Sequence, residues 1–228
     1  MTRTESGLET DGRRPGAFEQ GYFEKNYRNY GRQNPARKLR FYRGLAETVA
    51  PKDRVARILD VGCAFGAFLG ALDPKWERFG SDVSQFAIDR AGQAVPGATF
   101  AAAGFGSIPF PGAFDIVTSF DVIEHVPSLD DVAATVQSKL RTGGHLIFVV
   151  PVYDGLTGPI IRLLDHDETH VHKESRDFWL DWTRKRFTLV DWWGMYRYLM
   201  PVGYYVHVPT RSLRRLTPAI AVVARKEA

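Results

Sequence analysis

Two acids, Asp60 and Asp82, stand 22 residues apart, each at or just beyond the end of an apolar stretch (55–61 and 76–80). Small residues alternate after the first of them: Gly62, Ala64 and Gly66. A turn without bulky side chains lets the backbone approach a nucleotide closely. In dinucleotide-type folds an acid about 20 residues beyond such a turn bonds the ribose hydroxyls. Here the spacing is Gly-x-Ala-x-Gly rather than the dinucleotide Gly-x-Gly-x-x-Gly. No Gly-Lys-Ser/Thr follows, which excludes a P-loop. A carboxylate two residues before the first glycine suits a ligand that is cationic at that point, or one that presents ammonium and hydroxyl groups.

A second group of reactive side chains follows Asp121. Glu124 and His125 come first, and the segment 165–172 adds His166, His170 and His172. Four of the six histidines therefore fall in two short loops. An imidazole, with its pKa near 6.5, suits a general base. The structural alternative is a helix cap at His125 and plain loop residues in the later segment. Four of the five tryptophans (Trp179, Trp182, Trp192, Trp193) lie within 15 residues, and Tyr196, Tyr198, Tyr204 and Tyr205 follow. They fit an aromatic-lined pocket, or the packing of a helix on a sheet, which is the expectation for Trp179 and Trp182. The basic run 211–215 reads as a solvated turn, with an anionic acceptor as its functional alternative.

The elements that must position these residues alternate. Strands are expected at 58–61, 78–82, 99–102, 114–120, 145–150, 187–195 and 219–225. Helices are expected from 65, at 84–94 with Ser84 as N-cap, at 129–140 closed by the Gly143-Gly144 turn, and at 175–186. One or two helices over 18–49 break near Gln33-Asn34-Pro35. Such alternation predicts a parallel sheet covered on both faces, with ligands beyond the carboxyl ends of its strands. Asp60, Asp82, Asp121 and Pro151 all fall at such ends. Residues 1–17 read as a disordered tail, 18–54 as an N-terminal helical cap, and 55–228 as the ligand-binding domain, with an aromatic insertion at about 196–216.

Composition agrees with this layout. The 228 residues are 44% hydrophobic and 25% charged, which suits one substantial core. The net charge of +4 is mild, but cations are dense over 25–43, interleaved with aromatics. That stretch predicts an amphipathic helix with a solvated basic face, and a nucleic-acid or anionic-substrate surface is its alternative. The single Cys63 excludes an intramolecular disulfide and fits a reducing, cytoplasmic setting. Residues 1–15 are polar, without the pattern of a signal peptide, and no apolar run approaches the roughly 20 residues of a membrane span. A monomer or homodimer is expected.

Four blocks together carry a family resemblance. Ile58-Leu-Asp-Val-Gly-Cys-Ala-Phe-Gly66, Gly80-Ser-Asp-Val-Ser84, the segment 108–126 and the segment 140–151 resemble, in order and spacing, the motifs of class I S-adenosylmethionine-dependent methyltransferases of the type 11/23-like, small-molecule kind. The resemblance implies a Rossmann-like, doubly wound α/β fold with a mostly parallel seven-stranded sheet and an N-terminal helical cap. It implies S-adenosylmethionine as cofactor and S-adenosylhomocysteine as product. Gly62, Cys63, Ala64 and Gly66 would wrap the methionine moiety, with Asp60 acting on the amino group. Asp82 would hold the ribose hydroxyls, Val83 would lie against the adenine, and Phe105 would contact it through its backbone. Phe120 and Asp121 would floor the methionine end. Ala64 and Gly104 depart from the usual glycine and acid at their positions.

The implied reaction is methyl transfer to a small-molecule acceptor, at oxygen, with a histidine base drawn from His125 and His170 and with Glu124 beside them. A divalent metal on Asp121, Glu124, His125 and His170 is the alternative, since certain ubiquinone-pathway and small-RNA O-methyltransferases carry a similar pattern. N-methylation is a further alternative. A nucleic-acid methyltransferase is disfavoured, because no nucleic-acid module or Asn-Pro-Pro-Tyr-type motif is present. A non-catalytic ligand-binding relative is the remaining class.

Overall fold

The computed structural model describes residues 30–155, 158–164, 169–199 and 205–227. Expectations for the tail 1–17, for 18–29 and for His166 lie outside these residues. Two helices, α1 (Tyr30–Gln33) and α2 (Ala36–Val49), come first and are separated at Asn34-Pro35. Strand and helix then alternate through β1 (Arg57–Val61), α3 (Ala67–Ala71), β2 (Glu77–Asp82), α4 (Gln85–Ala94), β3 (Thr99–Ala102), β4 (Phe114–Phe120), α5 (Leu129–Lys139) and β5 (Leu140–Pro151). The last part holds α6 (Gly158–Leu164), α7 (Arg176–Arg184), β6 (Thr188–Leu199), β7 (Tyr205–Thr210) and β8 (Ala219–Arg225). Ser84, Ser128 and Ser175 each accept a backbone N–H in the first turn of the helix they precede, so three starts carry side-chain caps.

The eight strands form one sheet in the order β3-β2-β1-β4-β5-β8-β6-β7. The pairs β1–β2, β2–β3, β1–β4 and β4–β5 are parallel, and β5–β8, β6–β8 and β6–β7 are antiparallel. Each central strand is apolar on both faces, and its side chains sort by parity. In β8, Ile220, Val222 and Ala224 enter one core cluster, while Ala219, Ala221 and Val223 enter the other. The first core contains residues of α5 and α7, and the second contains residues of α2 and α3. Among the described residues no helix is long and apolar enough to cross a membrane.

The α/β expectation holds, with two differences. The sheet has eight strands rather than seven. The extra strand comes from the expected insertion 196–216: β6 runs on to Leu199, and β7 pairs with it as a hairpin. The tyrosine-rich and proline-punctuated sequence there conceals a strand pair. The second difference is at Gly143-Gly144, which does not close a helix. It lies inside β5, where the register with β4 shifts between Phe114 and Ile116.

Candidate functional site

The turn after β1 is shaped by backbone requirements. Gly62, Ala64 and Gly66 all have positive φ, at 80°, 46° and 76°. Glycine adopts that region freely, and alanine does so at a cost of about 1–2 kcal/mol. Gly62 has a second constraint: a Cβ there would meet the Cγ2 of Val122 at 2.2 Å. The turn is held by the neighbouring strand. Gly62 and Cys63 donate backbone N–H groups to the Ser81 carbonyl at 2.7 and 3.0 Å. Ala64 donates to the Asp82 carboxylate at 3.0 Å, and the other oxygen of Asp82 accepts from Ser84 N–H at 3.0 Å. The Asp82 carboxylate thus ties the two loops together. Tyr30 completes this corner, its hydroxyl accepting from Ala67 N–H at 3.3 Å and its ring tilted against Phe65.

A cavity of about 230 Å³ opens at the carboxyl ends of β1 and β4, on the α2 side of the sheet. Its lining includes Asp60, Gly62, Cys63, Ala64, Phe120 and Asp121 of the expected residues. Asp60 is buried and accepts from the Thr118 hydroxyl of the adjacent strand at 2.6 Å. Burial pushes its carboxyl up to about 7; the Thr118 bond opposes the shift and the charge of Asp82 adds to it. The Cys63 thiol is pushed up as well, by burial and by both acids. Phe120 packs edge-on to Phe68 and stacks on Tyr42 of α2, with 4.3 Å between the Tyr42 and Phe120 centroids. Gly66, Asp82, Val83 and Phe105 do not line this cavity. Val83 is 44% exposed at the end of β2, and the Phe105 ring is buried in the α5-side core.

Asp121 ends β4 with φ of 60°, a left-handed position that asparagine and aspartate tolerate better than most residues. It pairs with Arg197 of β6. Burial alone would raise this carboxyl, but Arg197 and then Lys38 outweigh burial and hold it below the usual range. Met195 faces the α2-side core, so Arg197, two residues on, faces the same side, directly opposite His207 of β7. Two groups gathered here, Arg197 and His207, were missed by sequence reasoning; Lys38 of the basic stretch and Tyr205 of the aromatic segment join them. His207 is buried between Phe41 and Tyr42, and burial, with Lys38 and Arg197 nearby, lowers it to about 4.

Glu124, His125 and His170 form a separate cluster next to this cavity. Their ligand-type atoms lie within 4.8 Å of one another, Glu124 is buried, and the rings of His125 and His170 are 4.5 Å apart. The segment carrying His170 is anchored by Val171 and His172 N–H groups on the Glu124 carbonyl at 3.1 and 3.0 Å. Nδ1 of His125 bonds the Thr169 hydroxyl at 2.9 Å, and Nδ1 of His170 bonds the Tyr153 hydroxyl at 3.0 Å. Both rings are therefore fixed through one nitrogen. His170 is close enough to Asp121 to contribute to lowering its carboxyl. His172 belongs to the scaffold instead: its Nε2 meets the Val126 carbonyl at 2.9 Å and its ring packs on Trp179. Asp121, the fourth residue of the metal alternative, is engaged with Arg197 rather than with this trio.

The aromatic segment divides along the sheet. Trp179, Trp182 and Trp192 belong to the α5-side core, so the packing expectation for the first two holds. Trp193 lies on the opposite side, 5.5 Å from Phe41, with the Arg211 guanidinium over its ring. Of the tyrosines after it, Tyr205 lines the cavity.

Comparison with known proteins bears on this arrangement. The methyltransferase domain family matches residues 30–216. A ubiquinone biosynthesis O-methyltransferase of Ralstonia nicotianae is 31% identical over 104 residues, covering 40% of this chain and 42% of that protein. The chain thus aligns with less than half of that relative's length. Among solved structures, the Haloferax volcanii complex of the Trm112 methyltransferase activator with a methyltransferase superposes with a TM-score of 0.70 at 15% identity, covering 91% of this chain and 97% of that one. An S-adenosylmethionine-dependent methyltransferase of Thermotoga maritima superposes with a TM-score of 0.65 at 14% identity, covering 91% and 99%. The N-methyltransferase NodS of Bradyrhizobium japonicum does so at 0.56 and 18% identity, covering 92% and 99%.

Proposed function

The chain belongs to the methyltransferase domain family, and from that premise we propose that it uses S-adenosylmethionine to methylate a hydroxyl of a small-molecule acceptor, with a histidine as general base. The residues present fit the donor. Asp60 is a buried carboxylate that accepts from the Thr118 hydroxyl through one oxygen, and it has acceptor capacity for an ammonium. Asp82, at the end of β2, supplies a carboxylate for ribose hydroxyls, and Val83 offers an exposed apolar face for adenine beside the Phe105 backbone. The turn Gly62, Cys63, Ala64, Gly66 presents backbone to the methionine part, with Phe120 and Asp121 beneath it. When bound, the donor supplies a methyl group on a positively charged sulfur, so the leaving group is already activated.

The remaining work is alignment and proton removal. The chain aligns the reactants by confining them between the β1 turn and the end of β4. The observation that carries the acid–base part is the His125–His170 pair, anchored through Nδ1 on Thr169 and Tyr153 and adjacent to Asp121. The O-methyltransferase relative supports oxygen over nitrogen. The test is to titrate S-adenosylhomocysteine into wild type, His125→Ala and His170→Ala, and to measure turnover of each with hydroxylated acceptors. Equal binding with reduced turnover supports the reading, and full turnover in both variants contradicts it.

A second reading rests on one observation, the mutual approach of Glu124, His125 and His170. A divalent ion held by these three would lower the pKa of an acceptor hydroxyl. Turnover that survives exhaustive chelation discards it.

A further inference from the structure

On the α2 side of the cavity a buried ammonium and a buried phenol stand beside Asp121, a carboxylate already paired with Arg197. Lys38 lines it and is only 9% exposed. Among the described residues its ammonium makes one long hydrogen bond, to the Gln33 carbonyl at 3.4 Å, and stands 5.7 and 5.3 Å from the ring centroids of Tyr42 and Tyr205. Tyr42 also lines the cavity, is 1% exposed, and its hydroxyl has no hydrogen-bond partner among the described residues. The acid nearest to them, Asp121, is committed to Arg197. Two cations, Lys38 and Arg197, thus face one carboxylate. A buried ammonium with so little compensation is costly unless an anion meets it.

We propose that Lys38 Nζ and Tyr42 Oη bind a carboxylate of a ligand seated in this cavity. The inference rests on the methyl-transfer reading, because that reading places both reactants here. Two sources supply the group: the α-carboxylate of the donor's amino-acid end, or a carboxylate on the acceptor. The ammonium provides the charge and the phenol a second, directed donor, an arrangement that recognises a carboxylate over a neutral hydroxyl. Burial pushes Lys38 down to about 8, with Asp121 opposing and Arg197 reinforcing the shift, so it is still cationic at neutral pH.

The experiment compares wild type, Lys38→Met, Lys38→Arg and Tyr42→Phe by calorimetry at neutral pH. One probe is S-adenosylhomocysteine. The second is 5′-methylthioadenosine, which keeps the nucleoside and sulfur but lacks the amino-acid end. The third is 4-hydroxybenzoate, added at saturating S-adenosylhomocysteine. If the carboxylate is the donor's, Lys38→Met weakens S-adenosylhomocysteine by about ten- to a hundredfold, the range for a hydrogen bond to a charged group, and leaves methylthioadenosine unchanged. Tyr42→Phe weakens it less, and Lys38→Arg restores part of the loss. If the carboxylate is the acceptor's, nucleoside affinities stay constant and 4-hydroxybenzoate binding disappears in Lys38→Met. Variants that keep the wild-type melting temperature and wild-type affinity for S-adenosylhomocysteine, with no Lys38-dependent binding of the benzoate, overturn the inference. A wild-type chain that binds neither nucleoside contradicts the methyl-transfer reading instead.

Discussion

The backbone N–H of Ala64 donates to the carboxylate of Asp82 at 3.0 Å, so the acid that ends β2 holds the turn that ends β1. The same carboxylate accepts the Ser84 N–H. Asp82→Ala strands two buried donors, and each hydrogen bond to a charged acceptor contributes about 1.5–3 kcal/mol. The expected loss is about 3 kcal/mol in urea unfolding, together with at least a tenfold loss of S-adenosylhomocysteine affinity. Unchanged stability would show that the carboxylate does not organise the turn.

Gly62→Ala combines a φ of 80° with a Cβ placed 2.2 Å from Val122 Cγ2. Left-handed strain and overpacking each cost about 1–3 kcal/mol. The variant is expected to be destabilised by about 2–4 kcal/mol. Val122→Ala in the same chain should recover the steric part and leave the strain. A double variant no more stable than Gly62→Ala would refute the contact as the cause.

The stability that Asp60 contributes to the ligand-free chain should fall as pH rises from about 4 through 7, against the opposite contribution of His207, whose imidazole is lowered to about 4. Burial raises the folded-state Asp60 carboxyl to about 7, against an ordinary value of 3.8. The groups that bear on it are the Thr118 hydroxyl and the Asp82 carboxylate. Between about 4 and about 7 the folded chain therefore binds more protons than the unfolded one. By linkage, the contribution is complete below pH 4 and is lost as pH climbs through 7, with a size of a few kcal/mol at most. Urea midpoints of wild type and Asp60→Asn across this window check it: the His207 contribution is common to both chains, and the wild-type midpoint should fall relative to that of the asparagine variant as pH rises from about 4 to 7. S-adenosylhomocysteine affinity should move the other way and rise through pH 7, because an ammonium prefers the ionised carboxylate.

His125→Ala and His170→Ala should each slow methyl transfer by about a hundredfold or more, the usual reach of a general base. Donor-product affinity should stay within about twofold, because neither ring lines the donor cavity. Loss of affinity equal to the loss of rate would reassign the pair to a structural role.

The gathering of Asp60, Gly62, Cys63, Ala64, Phe120 and Asp121 about one cavity was legible because each lies at a strand end in a contiguous motif. Parallel β1 and β4 then bring those ends together without further information. The opposite wall was legible only in part, through Tyr205 of the aromatic segment. Lys38 sits in a basic stretch that reads as a solvated face, while Arg32 and Arg40 around it are indeed exposed. Its burial depends on the β6–β7 hairpin, a pairing set by long-range packing. Arg197 carried no signal either, since a charge between two tyrosines reads as surface. Its inward direction follows from the parity of Met195, which becomes visible only once β6 is known to continue past 195. Glu124 and His125 were readable as a motif, but the loop that brings His170 to them is fixed by backbone bonds to the Glu124 carbonyl. No side-chain pattern encodes that contact.

Titration of S-adenosylhomocysteine into the purified chain, with Asp60→Asn and Asp82→Ala alongside, tests the central claim most directly. Saturable one-to-one binding in wild type, weakened in both variants, is the expected result. Absence of binding in wild type, or affinity indifferent to both substitutions, would contradict the placement of the donor between these two carboxylates.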